Sequence, residues 1–167
     1  MTGLTPAQTA FLVALGVVLV VVALFALVVL RRAGRAGGGL SGPVARLGRP
    51  SVARLELHRW AFYAHRVSGV AILAFLALHL VDVGLVAISS DLYDEVHALY
   101  GTLALRLFEV GLLAGILFHT ANGLRLLVID LVDVGSRTSE RMLWLAIVLT
   151  VVLTVPAGAV ILAPALA

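Results

Sequence analysis

Residues 10–30 read AFLVALGVVLVVVALFALVVL, and no charged side chain occurs between Met1 and Arg31. At about 1.5 Å of rise per residue, a helix of this length crosses the roughly 30 Å hydrocarbon core of a bilayer. Backbone inside lipid must satisfy its own N–H and C=O groups, so the run reads as a transmembrane α-helix. The other reading is a cleaved signal peptide. Met1–Gln8 has no positive n-region, however, and the apolar run is long for an h-region. The span is therefore expected to stay in the protein.

The rest of the chain asks for the same solvent. Of its 167 residues, 62% are apolar, more hydrocarbon than a soluble domain of this size hides. There is no cysteine, which excludes disulfides, Cys-ligated iron–sulfur clusters, thiolate nucleophiles and zinc-ribbon sites. All twelve basic residues are Arg, and the pI is near 10.2. These Arg residues flank apolar spans, so they report membrane topology and not a nucleic-acid partner.

Further apolar stretches predict spans over about 64–89, 100–129 and 142–165, with Pro156 and Gly158 expected to bend the last. The fold class is an all-α integral membrane bundle of four transmembrane helices. Between the first two spans, Arg31–Pro50 is polar and rich in glycine, and it reads as a loop. Its glycines match neither a Walker loop nor a dinucleotide fingerprint. The expected organisation is a first span over 1–30, a basic Gly-rich linker over 31–59, and a three-helix part over 60–167. Arg31–Arg66 holds eight Arg and one acid, whereas the turn at Asp91–Tyr100 holds Asp91, Asp94 and Glu95 and no base. The tendency of basic loops to stay inside puts the linker and Arg125–Arg141 in the cytoplasm and both termini outside.

Two constellations carry chemistry. On the third span Gly111, Gly115, His119 and Gly123 recur every four residues and share one stripe. Small-residue helix packing accounts for the glycines but not for His119. A flat macrocycle beside His119 accounts for both, with the imidazole as a haem-iron ligand; a hydrogen-bonded core histidine is the alternative. Arg125, near the cytoplasmic end, can pair with a haem propionate or snorkel to lipid headgroups. The second constellation, His65-Arg66-Val67-Ser68-Gly69, opens the second span. Its His and Arg can donate to propionates or to a quinone carbonyl, or Arg66 can serve only as a topological anchor. His79 lies fourteen residues beyond His65 with Asp82 following. It can be a second axial ligand, a member of a proton relay or a core histidine, and Asp82 can orient it. His97 reads as solvated, His58 and Trp60 as interfacial, and Arg106–Glu109 as a local pair.

Together these residues resemble the cytochrome b membrane-anchor subunit of succinate dehydrogenase, respiratory complex II. That family carries His-Arg-x-Ser/Thr-Gly at the start of its first helix, here His65 to Gly69. It also carries His-x-x-Asn-Gly-x-Arg with an Asp eleven residues after the His, here His119, Asn122, Gly123, Arg125 and Asp130. The resemblance covers about residues 60–160. It makes 1–30 an extra helix and 60–167 the haem and quinone anchor. It implies haem b with His119 as an axial ligand, and it places His65, Arg66, Ser68 and Arg125 at the haem and at a menaquinone or ubiquinone. The second axial ligand is expected from a second membrane-anchor subunit, with His79 as the internal alternative. A flavoprotein and an iron–sulfur subunit complete the enzyme on the cytoplasmic face of a bacterial plasma membrane. This chain is then a subunit of succinate:quinone oxidoreductase that does not bind succinate. The alternatives are the anchor of a quinol:fumarate reductase, a haem-free structural anchor, and a small proton-coupled transporter using His79 and Asp82. Two positions depart from the family pattern: Leu126 stands where a second His often follows the motif Arg, and Phe62 where many members have a quinone-contacting Ser.

Overall fold

The structure is a computed structural model that describes residues 3–37, 50–132 and 134–166. Among the described residues five α-helices follow one another: α1 (Pro6–Gly37), α2 (Pro50–Gly84), α3 (Ser90–His97), α4 (Leu103–Leu131) and α5 (Ser136–Leu166). Short 3-10 turns, Leu85–Ala87 and Ala98–Gly101, flank α3. No strand occurs among the described residues. Four stretches among the described residues are helical, long and apolar enough to cross a membrane: Pro6–Arg32, Leu57–Ala87, Leu103–Leu131 and Ser136–Leu166. The all-α membrane bundle expected from the sequence is the fold observed.

Local chemistry sets the helix ends. α1 starts on a capping box: the Gln8 N–H donates to Thr5 Oγ1 and the Thr5 N–H to Gln8 Oε1, each at 3.2 Å. Pro6 takes the first helical position, where a missing N–H costs nothing. Arg31–Gly37 and Pro50–Arg59, expected as linker, are helical. Residues 38–49 of that linker lie outside the described residues. α5 continues through Pro156 without interruption.

The acidic stretch expected as a turn is also structured. Ser89 caps α3 by accepting from the Leu92 N–H at 3.3 Å. Leu92, Val96 and Leu99 then recur at helical spacing, and Val96 and Leu99 are buried. They join Phe11 and Leu15 of α1 and Leu105 of α4 in one core cluster. Gln8 Nε2 donates to the Glu95 carbonyl at 3.0 Å, so the start of α1 is tied to this cap.

The most extensive pairing is α4 with α5, followed by α2 with α4 and α1 with α2. Association inside lipid relies on close packing, because lipid tails are as apolar as leucine. Gly158 provides it at the α4–α5 contact, where a Cβ would lie 3.1 Å from Val110 Cγ1. Leu143 and Ala146 of α5 are buried along the same helix.

Candidate functional site

The two sequence constellations meet where α2 crosses α4. The His65 and His119 rings stack with centroids 3.9 Å apart and planes 5° from parallel. Each ring sits against a glycine of the opposite helix. A Cβ on Gly69 would come within 2.8 Å of His119 Cε1, and one on Gly123 within 3.3 Å of His65 Cε1. Because each glycine lies four residues after its own helix's histidine, the two segments fit reciprocally as His-x-x-x-Gly against His-x-x-x-Gly. The approach is tightest at Gly69, where a side chain would displace the His119 ring; at Gly123 the His65 ring would have to give by a few tenths of an ångström. Gly111 and Gly115 have open space where a side chain would project, and they border an apolar groove with Val18, Leu19 and Val22 of α1.

The hydrogen bonds fix the state of His119. Its Nδ1 lies 3.0 Å from the His65 carbonyl oxygen and 3.2 Å from Ser68 Oγ. A carbonyl only accepts, so Nδ1 carries the proton and donates. In a neutral ring Nε2 is then the nitrogen with a free lone pair. Ser68 Oγ donates to the same carbonyl at 3.0 Å, which commits its hydroxyl proton to the backbone. His65 Nδ1 is buried and has no hydrogen-bond partner.

Six residues beyond His119 along α4, Arg125 is buried at 7% exposure and does not snorkel. Its Nε donates to the Ser139 carbonyl at 3.1 Å, Nη1 to Asn122 Oδ1 at 3.2 Å, and Nη2 to Ser139 Oγ at 2.9 Å and His58 Nδ1 at 2.7 Å. A guanidinium only donates, so His58 Nδ1 is the unprotonated nitrogen of its ring. Arg125 therefore ties α2, α4 and α5 together. In the sequence His58 is legible only as an interfacial residue, and Ser139 belongs to no motif. Only the spacing of Asn122 and Arg125, three residues apart on one helix face, gave a signal.

The remaining candidates are spread out. Arg66 is exposed beside the pair, with its guanidinium 4.5 Å from the Phe62 ring centroid. The Phe that departs from the family pattern thus forms a cation–π contact with the signature Arg. His79 is exposed and stacks on Phe75 at 5.7 Å. It stands ten residues beyond Gly69, which is about 15 Å further along α2. Asp82 does not orient it: Asp82 Oδ2 accepts from the Tyr100 hydroxyl at 3.0 Å. Burial, then this hydrogen bond, push the Tyr100 phenol well above its ordinary pKa. His97 is exposed as expected, against the Tyr93 ring. Arg106 does not make the expected local pair with Glu109. It reaches α5 and donates to the Ile161 carbonyl at 2.6 Å.

Comparison with known proteins gives this geometry a family. The profile described as succinate dehydrogenase/fumarate reductase transmembrane subunit matches residues 45–156. The chain is 39% identical over 102 residues to the succinate dehydrogenase 2 membrane subunit SdhC of Mycobacterium tuberculosis, covering 61% of this chain and 75% of that protein. It is 34% identical over 97 residues to the succinate dehydrogenase hydrophobic membrane anchor subunit of Halobacterium salinarum, covering 58% and 74%. No solved structure matches it. The matched residues contain the whole His65–His119 crossing and leave α1 largely outside. The chain belongs to the succinate dehydrogenase/fumarate reductase transmembrane subunit family.

Proposed function

We propose that this chain is a haem b-binding, quinone-proximal anchor of a succinate dehydrogenase, with His119 Nε2 as an axial iron ligand. The observation that carries the proposal is the donation from His119 Nδ1 to the His65 carbonyl. It orients the imidazole and leaves Nε2 as the coordinating nitrogen, the arrangement that metal-bound histidines use. The unpartnered His65 Nδ1 adds a second polar atom available to a bound group. With their centroids 3.9 Å apart, the stacked rings leave no room for iron between them. His65 therefore supports His119 and does not coordinate opposite it. His79 stands too far along α2 to hold the same haem as His119, so a residue of a second membrane subunit would complete the site.

Haem b bound there would relay single electrons between the last iron–sulfur cluster and membrane quinone. The chain's own contribution is positional. Arg66, exposed at the inner end of the crossing, donates to a quinone carbonyl or a propionate. Ser68 acts through His119, because its proton is already committed to the backbone. Arg125 holds the inner ends of three helices in register and leaves propionate binding to other groups. The chain has no cysteine for clusters, so flavin and iron–sulfur chemistry belong to soluble partners on the cytoplasmic side. Both relatives are named as succinate dehydrogenase subunits, which favours succinate oxidation over the fumarate-reducing direction.

The test is His119→Ala in the assembled complex, with the reduced-minus-oxidised spectrum and quinone reductase activity measured side by side. The expected result is loss of the b-type α-band. An α-band of unchanged intensity per complex would remove His119 as the ligand. A wild-type complex with no α-band at all would leave a haem-free structural anchor.

A further inference from the structure

We propose that the cavity between α1, α2 and α3 binds a lipid-soluble molecule through a hydroxyl group held by Asp82. The cavity measures about 310 Å³ and lies at the end of the bundle opposite the basic linker. Its α1 wall is made of Ala7, Ala10 and Ala14, a stripe of small residues that leaves space between α1 and Leu78 and Leu92. Asp82 is the one polar residue lining it, and it is 3% exposed. Its Oδ2 is taken by Tyr100, whereas Oδ1 has no partner.

The occupant's chemistry follows from what this arrangement lacks. A buried carboxyl oxygen needs a hydrogen-bond partner. A lone water is poorly suited, because it needs two to four polar neighbours and this cavity offers one. An acyl chain fills the volume but leaves Oδ1 unsatisfied. An ammonium would lose its hydration for a single partner. A hydroxyl on an apolar body satisfies both demands, and it pairs with a carboxyl oxygen in either protonation state because it both donates and accepts. The volume lies at the lower end of small-molecule sites, roughly 300–1,000 Å³. Two membrane sources present this chemistry: the hydroquinone form of a membrane quinone and the free hydroxyl of a glycerolipid. The α1 wall lies outside the family match at residues 45–156, and the cavity shares no lining residue with the His65–His119 crossing.

The test uses the purified complex and native mass spectrometry with three probes: decylhydroquinone, its dimethyl ether, and 1,2-dioctanoylglycerol. Wild type is expected to retain one equivalent of at least one hydroxyl probe that Ala14→Leu abolishes. Asp82→Val is expected to weaken that equivalent about tenfold, the effect of one hydrogen bond. The dimethyl ether should bind wild type about as weakly as the hydroxyl probe binds Asp82→Val. Whichever hydroxyl probe is retained at the lower concentration names the source. Equal retention by wild type and Ala14→Leu, or undiminished hydroxyl-probe binding to Asp82→Val, overturns the proposal. Should Ala14→Leu fail to assemble, Ala7→Leu blocks the same cavity. Because the readout is bound equivalents, it is independent of haem content and quinone reductase activity.

Discussion

Gly69 and His119 face each other so closely that each constrains the other. A methyl group on Gly69 would overlap the imidazole at 2.8 Å, and the ring has the His65 ring stacked on it at 3.9 Å. Gly69→Ala is therefore expected to rotate His119 off its carbonyl partner and to cost about 1–3 kcal/mol of overpacking. The complex should show a diminished α-band and a lower melting temperature, and an unaltered spectrum would mean that the ring has freedom the packing denies. Arg66 presents the opposite case, an exposed guanidinium lying over the Phe62 ring. Arg66→Ala should raise the KM for quinone about tenfold or more, in line with loss of a charge-assisted hydrogen bond, while the α-band keeps at least half its intensity. An unchanged KM would place quinone elsewhere. His119, His65 and Gly69 were all visible in the sequence as motif members. That the two histidines share one stack was not visible, because the contact joins residues 54 apart in sequence.

Among the elements, α4 carries the most chemistry and depends on Arg125 to hold its neighbours. Four hydrogen bonds radiate from this buried group to His58, Asn122 and Ser139. Arg125→Ala should destabilise the complex by about 2–4 kcal/mol, because several buried polar groups lose their partner together. Arg125→Lys should recover little of this, since a point ammonium cannot address acceptors on three helices as a planar fork does. Thermal unfolding of the purified complex in detergent measures both; full stability of the Lys variant would refute the fork geometry. The sequence marked Arg125 as a motif residue and left propionate binding or snorkelling open. The structure shows a third use, because neither Ser139 nor His58 lies on α4. α3 shows the reverse failure: its signals, Ser89 as cap and Leu92, Val96 and Leu99 on one stripe, were present locally. Acidic side chains dominate the stretch, so on composition alone it reads as a turn.

At the scale of the molecule, α1 packs most extensively on α2, and its start is fastened to the α3 end of the bundle, where Phe11 and Leu15 join Val96, Leu99 and Leu105. Phe11→Ala should cost about 1–2 kcal/mol, less than in a soluble core, because between lipid-bathed helices the packing contribution remains and the transfer contribution is small. Melting of the complex tests this, and the α-band should not move. Orientation is equally accessible, since a chain without cysteine lets single introduced thiols report their side. With both termini outside, as the arginine bias argues, Gly3→Cys should react with an impermeant maleimide on intact cells and Ser136→Cys only after permeabilisation. The opposite labelling pattern would invert the proposed topology.

The sequence by itself determined that this is a four-span helical membrane protein and which two segments carry its chemistry. Hydrocarbon content, helix length and the spacing of motif residues are local quantities, and lipid leaves the backbone one economical way to satisfy them. Only the tertiary structure decided that His119 and His65 stack in reciprocal glycine seats, that Arg125 ties three helices, and that Asp82 pairs with Tyr100 beneath α1. Those facts depend on the lateral position and axial register of helices inside the bilayer. The apolar pattern cannot specify either, because lipid and partner helix present nearly the same surface to a leucine.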